Sequence, residues 1–498
     1  MTRPQPARGG AAALAPLALA LLALAPAPFA GVARADEGCE EPPGDPVIVG
    51  DGADPVCEED GEEHGPDTDE GGGDAPAGGD GKPADPAAKP DEEGEGKGAR
   101  WFAVHAGELH TGARQVLRDV TVLARDGRIV AIDHDVALPP GTEVLDARGL
   151  RAYPGLVAFE ASGLVGAAPE DSTDVYALDL QLALSGGVTT VAQGTTVAKL
   201  TWGSLDGHLV AKDAYLRLDG SSRGLRSLRD ELERLRAYQR KKRALDLDRA
   251  RGLPPAPEPD RRWISGRLAQ LERLLQGQTR GVLAASDRAA LTAIATLALD
   301  YQVRLVVVGA EEAWTVADLL GRAGVACVVV SRSRRDEDAR RAQDTGWTIE
   351  NAARLHARGV PVALVPGSRG VSLGGLGGRD LMTLNLEAAF AVRGGLSEQD
   401  ALAAITLVPA RLLGVDDRVG SVEVGKDMDL AITRGDLLRY TTLVEYTVVH
   451  GRVAYDKAKE PLLRAVRSRN HDGQTVPIPQ LWPRRVGEPE PELPPAER

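Results

Sequence analysis

Residues 395–436 read GLSEQDALAAITLVPARLLGVDDRVGSVEVGKDMDLAITRGD, and this stretch changes character halfway along. Ser397 to Ile405 has apolar residues at helical spacing and predicts a helix. Gly420 to Gly425 and Asp429 to Thr433 then predict short strands, and Leu443 to His450 and Val453 to Tyr455 predict two more. The same β signals occur far upstream. Val120 to Ala124 and Arg128 to Ile132 are β-prone runs on either side of Asp126-Gly127, a dipeptide that tolerates the positive φ of a tight hairpin.

Between these β-rich ends, over residues 152–415, short apolar runs alternate with helical patterns. The runs are Val188 to Ala192, Val282 to Ala285, Arg304 to Val308, Ala326 to Ser331 and Val360 to Val365. The helices are predicted at Asp287 to Leu299, Glu311 to Gly321, Ile349 to Arg358 and Asp380 to Arg393, with Asp287 as an N-cap. Alternation of this kind predicts an α/β fold, a (β/α)8 TIM-like barrel. One insertion, at about 222–277, interrupts it. Leu225, Leu228, Leu232 and Leu235 share a helix face, a proline-rich turn follows, and Leu268, Leu271, Leu274 and Leu275 mark a second helix, so a helical hairpin is expected. Its Arg240-Lys241-Lys242-Arg243 run reads as a solvated helix end.

The N-terminal fifth is a different material. Arg3 and Arg8, the apolar run Ala11 to Ala25 and Ala33-Arg34-Ala35 together predict a signal peptide over residues 1–35, with Asp36 as the mature N-terminus. An exported protein, periplasmic or extracellular, is therefore expected, with no membrane span after cleavage. Residues 36–98 hold 22 acidic residues against three lysines, a net charge of -19, and predict a disordered acidic linker. The overall net charge of -14 is thus an average over unlike parts, because residues 99–498 carry only +2. A chain without a basic face excludes nucleic acid as the default partner. Three cysteines exclude a disulfide scaffold, although Cys39 and Cys57 could pair in an oxidising compartment. Cys327 reads as a core thiol. Residues 461–498 form a tail.

Three stretches resemble the metal-dependent amidohydrolase superfamily, and its imidazolonepropionase-like bacterial members in particular. They are RDVTVLARDGRIVAI with EVLDARGLRAYPGLV in residues 118–157, LSGGVTTVAQGTTVAK in residues 184–199, and the opening stretch with VVHGRVAYD at residues 448–456. The resemblance implies a small composite β-sandwich, built from residues 99–151 and 416–460, attached to the barrel of residues 152–415. It also implies hydrolysis of carbon–nitrogen bonds other than peptide bonds, with one or two divalent ions activating water. The ligands would sit at the C-terminal strand ends.

The positions that the resemblance assigns to those ligands depart from the pattern. After Pro154-Gly155-Leu156-Val157, the expected Asp-x-His-x-His is Ala158-Phe159-Glu160-Ala161-Ser162, so Glu160 and Ser162 replace both histidines. Ala285, Gly309 and Gly367 occupy the remaining ligand positions. Of the eight histidines, His208 alone falls where it would face the barrel mouth. A substitute site would draw on Glu160, Asp206 and His208, and zinc or another divalent metal enters only through such a rebuilt site. Gly370-Val371-Ser372-Leu373-Gly374 matches Gly-x-Ser-x-Gly but lacks the strand before and the helix after that a nucleophile elbow requires. Ser368, Arg369 and Ser372 remain as binding candidates at the barrel mouth.

Three readings follow. The leading one is a catalytically degenerate amidohydrolase-like protein, without cofactor, that binds a small molecule or a protein at the barrel mouth. The second is an active amidohydrolase with a site rebuilt around Glu160. The third is an interaction module tethered by the acidic segment. Homo-oligomerisation through the sandwich or the helical hairpin is compatible with each.

Overall fold

Asp126 and Gly127 both adopt positive φ, 49° and 82°, as the two-residue hairpin turn requires. They join the antiparallel strands Val116–Arg125 and Arg128–Asp133 in the computed structural model. The structure describes residues 99–112, 115–254, 256–333, 345–371 and 379–459. The signal-like segment, the acidic linker with Cys39 and Cys57, Ser372 and the C-terminal tail lie outside the described residues.

The hairpin is one edge of a seven-stranded sheet drawn from both ends of the described chain. Trp101–His110 pairs antiparallel with Val116–Arg125 and parallel with Glu143–Pro154. Glu143–Pro154 then pairs antiparallel with Leu430–Thr433, and Val444–Val449 and Arg452–Asp456 complete the order. Phe102, Val104, Val122, Leu430 and Val448 are among the residues that form its core. The predicted strand at Gly420 to Gly425 is absent. Its ends have φ of 91° and 92°, and Val422 and Gly425 bond singly, to Thr111 just beyond the strand Trp101–His110 and to Ile129 on the strand Arg128–Asp133. The alternation of Ser421-Val422-Glu423-Val424 is thus an irregular crossing, with no ladder to hold it extended.

The central part carries parallel strands. Leu156–Ala158 pairs with Val188–Gln193, which continues antiparallel into Thr196–Lys199 and Leu209–Ala211. A second parallel set runs in the order Leu216–Leu218, Gly281–Ala285, Leu305–Gly309, Ala326–Val329 and Val362–Leu364. Backbone bonds connect the margins of the two sets. Ala404 accepts from Leu364 and Ile405 accepts from Val157, each at 2.9 Å, while Ala214 donates to Thr195 at 2.9 Å.

Alternate residues of these strands enter two separate cores, as the period of two dictates. Val157, Ala192, Val282, Val306, Val308, Ala326, Val328 and Ala363 pack together with Phe159 and Tyr215. Leu156, Val191, Leu283, Leu305, Val307, Cys327, Val329 and Leu364 pack the other way, against the helices. The two aromatic rings stack with centroids 5.8 Å apart and fill the inner core.

Helix starts follow local chemistry. Asp287 caps Arg288–Tyr301 by accepting from the amides of Ala289 and Ala290. Ser221 caps the 29-residue helix Ser222–Ala250. That helix buries Leu225, Leu228, Leu232 and Leu235 with Leu271 and Leu274 of Arg267–Leu275. Each such leucine contributes roughly 2 kcal/mol by leaving water. No helix among the described residues is long and apolar enough to cross a membrane.

Candidate ligand-binding site at the strand ends

Glu160 follows the short strand Leu156–Ala158, and its side chain is 17% exposed. Arg369 Nε donates to Glu160 Oε2 at 2.9 Å, and Arg217 Nη2 lies 3.6 Å from Oε1. Arg369 is placed by its surroundings: its Nη1 donates to the carbonyl of Pro366, and its own carbonyl accepts from the Ser162 amide at 2.9 Å. These bonds tie the segment after Val362–Leu364 to the end of the first parallel strand. Arg217 sits in the strand Leu216–Leu218 beside Tyr215, whose hydroxyl donates to the Gly194 carbonyl. Burial pushes the Tyr215 hydroxyl above its usual pKa, and the charge of Arg217 offsets part of that rise. Arg379 lies beside the segment that carries Arg369. Its carbonyl accepts from the Ser368 amide at 2.7 Å, and its Nε would lie 3.9 Å from a Cβ placed on Gly367.

Two sequence candidates, Glu160 and Arg369, are therefore brought together. Ser368 is joined to the same corner through its backbone. Asp206 and His208 are not. Asp206 has a side chain 75% exposed and lies 3.5 Å from Arg452, on the last strand of the seven-stranded sheet. His208 is buried, with Nδ1 3.4 Å from Thr201 Oγ1 and its carbonyl accepting from the Lys199 amide. Desolvation lowers its pKa, so the imidazole is held neutral. Among the described residues no three His, Cys, Asp or Glu side chains form a group able to hold a metal ion.

The donor atoms at the strand ends do not fit a divalent cation. Ala285, Gly309 and Gly367 offer no side-chain ligand, and Gly309 has φ of 98°, where a histidine would be strained. Glu160 is the one carboxylate there, and two guanidinium groups already share it. A structural zinc needs four ligands and a catalytic one about three from protein.

Sequence reasoning missed Arg217 and Arg379. Both lie in segments with no motif, and only the fold carries them to Glu160 and Gly367. It also missed a buried charge group behind His208. Lys199 lies 2.8 Å from both Asp427 and Asp429, Arg418 pairs with Asp427 at 2.9 Å, and the His450 amide donates to Asp429 at 2.8 Å. A lysine ending the apolar run Thr196–Lys199 was the available signal.

Residues 281–457 match the model of the amidohydrolase family. No curated protein sequence matches the chain. Among solved structures, an amidohydrolase from Thermotoga maritima is 21% identical with a TM-score of 0.54, over 72% of this chain and all of that one. A putative prolidase from Bifidobacterium longum is 18% identical with a TM-score of 0.39, over 74% of this chain and 98% of that one. Residues 281–457 thus carry the sequence pattern of the amidohydrolase family, and the described fold is of the TIM-barrel α/β type.

Proposed function

We propose that this chain is an exported, imidazolonepropionase-like barrel protein that binds a small molecule at the strand ends and no longer carries out metal-dependent hydrolysis. The observation that supports this reading is the pairing of Glu160 with Arg369 and Arg217. Metal-assisted hydrolysis needs clustered ligands that leave an open position for water. Here the one carboxylate at that place is neutralised by guanidinium groups, and Ala285, Gly309 and Gly367 supply no side-chain donor atoms. Two positive charges within ion-pair distance also oppose the entry of a divalent cation. The aromatic pair Phe159 and Tyr215 packs the space below.

Elemental analysis of the purified full chain tests this. Zinc, manganese and iron are each expected far below one equivalent, before and after dialysis against zinc. Stoichiometric metal overturns the reading, and its loss in Glu160→Ala would favour an active amidohydrolase rebuilt around that carboxylate.

A further inference from the structure

We infer that the strand-end corner is an oxyanion site, in which Arg217, Arg369 and Arg379 receive the carboxylate or phosphate group of a small molecule. The inference rests on the metal-free reading above and gives it a ligand class.

Arg369 and Arg217 meet at Glu160, and Arg379 stands beside Gly367, two positions before Arg369 in the chain. Arg369 uses Nε on Glu160 and Nη1 on the Pro366 carbonyl, which leaves Nη2 without a bonded partner among the described residues. Arg217 reaches Glu160 only at 3.6 Å, an ion pair too long for a hydrogen bond, and its side chain is 59% exposed. Arg379 forms no ion pair among the described residues, and its Nε lies beside Gly367, where the missing side chain leaves room. Asp219, the acid nearest Arg217 in the chain, gives its two oxygens to the amide and hydroxyl of Ser221. The corner therefore holds more fixed positive charge than its own carboxylate neutralises.

Guanidinium groups present planar, forked donors that match carboxylate and phosphate oxygens, and these charge-assisted bonds are about twice as strong as neutral ones. Arg369 is fixed in place by two backbone contacts, so little ordering is required when an anion arrives. Glu160 acts as an internal occupant that holds Arg369 in position, while Arg217, which also interacts with the Tyr215 hydroxyl, is 59% exposed and Arg379 stands beside Gly367. The ligand is thus an organic anion small enough for the strand ends, with its oxyanion directed at Gly367.

Isothermal titration of the full chain with inorganic phosphate, and separately with succinate, tests the inference. Saturable binding of at least one anion is expected, weakened by about tenfold or more in Arg217→Gln and in Arg379→Gln. Both arginines are partly exposed, so each variant should keep the melting temperature of the unliganded parent. Binding of phosphate alone assigns a phosphate ester, and binding of succinate alone assigns a carboxylic acid. Failure of both anions to bind, or equal binding by parent and variants, overturns the inference and leaves the metal-free reading standing. A repeat after chelator treatment separates the two: unchanged binding supports the arginine site, whereas binding lost with the metal overturns both.

Discussion

Lys199 Nζ lies 2.8 Å from Asp427 Oδ2, with both side chains fully buried and 228 positions apart in the chain. The pair links the antiparallel extension Thr196–Lys199 to the segment that enters the strand Leu430–Thr433. Asp429 on one side and Arg418 on the other extend it to four charges. Burying such charges is costly unless each is compensated, and breaking one partner leaves the other uncompensated. Lys199→Met is therefore expected to destabilise the fold by about 3–5 kcal/mol. Urea denaturation followed by circular dichroism measures this, and a loss near zero would contradict a structural role for the pair.

The same group makes the fold sensitive to acid. Burial alone would raise the Asp427 carboxyl, but the charge and hydrogen bond of Lys199, then Arg418, outweigh it and hold the group below its usual range. Burial lowers the pKa of His450, with Lys199 adding to the effect, and burial likewise lowers that of His208. For the two histidines the unfolded chain binds protons that the folded chain refuses, so their contribution is complete above the unfolded value of 6.5 and declines as pH falls below it. For Asp427 the contribution is present above the unfolded value of 3.8 and is lost as pH falls through the lower folded value. Both act in one direction. The melting temperature should fall as pH drops from about 7 to 5, and His208→Gln should flatten that slope. A pH-independent melting temperature over this window would refute the assignment.

Glu160→Gln removes the negative charge that Arg369 and Arg217 share. An amide of the same shape keeps one acceptor, so the cost in stability should be small, about 1 kcal/mol. Affinity for the anion that binds the parent should rise, because the internal competitor becomes neutral. Titration calorimetry on parent and variant reads the change, and weaker binding by the variant would mean that Glu160 helps the ligand instead of competing with it.

Gly127 carries positive φ, and a methyl group there would come within 2.5 Å of His450 Nδ1. Gly127→Ala combines backbone strain with a clash against a ring that is packed beside the Lys199 group. A loss of about 2 kcal/mol or more is expected in urea denaturation. Gly141→Ala offers a control, with φ of 81° but open space around the added methyl. Equal losses in the two variants would assign the whole effect to the backbone.

Burial pushes the Cys327 thiol up to about 12, so little reactive thiolate is present near neutral pH. Alkylation with iodoacetamide followed by peptide mapping should leave Cys327 unmodified in the native chain and modified in denaturant. Rapid native labelling would show that the outer face of the strand Ala326–Val329 opens more readily than its packing implies.

What the sequence determined by itself were the features that neighbours in the chain decide. The positive φ of Asp126-Gly127, the Asp287 cap and the leucine face of Ser222–Ala250 all depend on contacts within a few residues, and each stands as read. The alternating runs likewise fixed the parallel strands, because the side-chain period of a strand is a local property. Gly420 to Gly425 shows the limit: its alternation is strand-like, yet no ladder reaches it. The candidate site was legible only in part. Glu160 and Arg369 were visible as residues, but their bond joins positions 209 apart, and nothing local marks Arg217 or Arg379 as its companions. Lys199 and Asp429 meet across 230 positions. Which charges meet is decided by how the sheets close on one another, and a carboxylate becomes a guanidinium partner or a metal ligand according to what that closure places within about 4 Å of it.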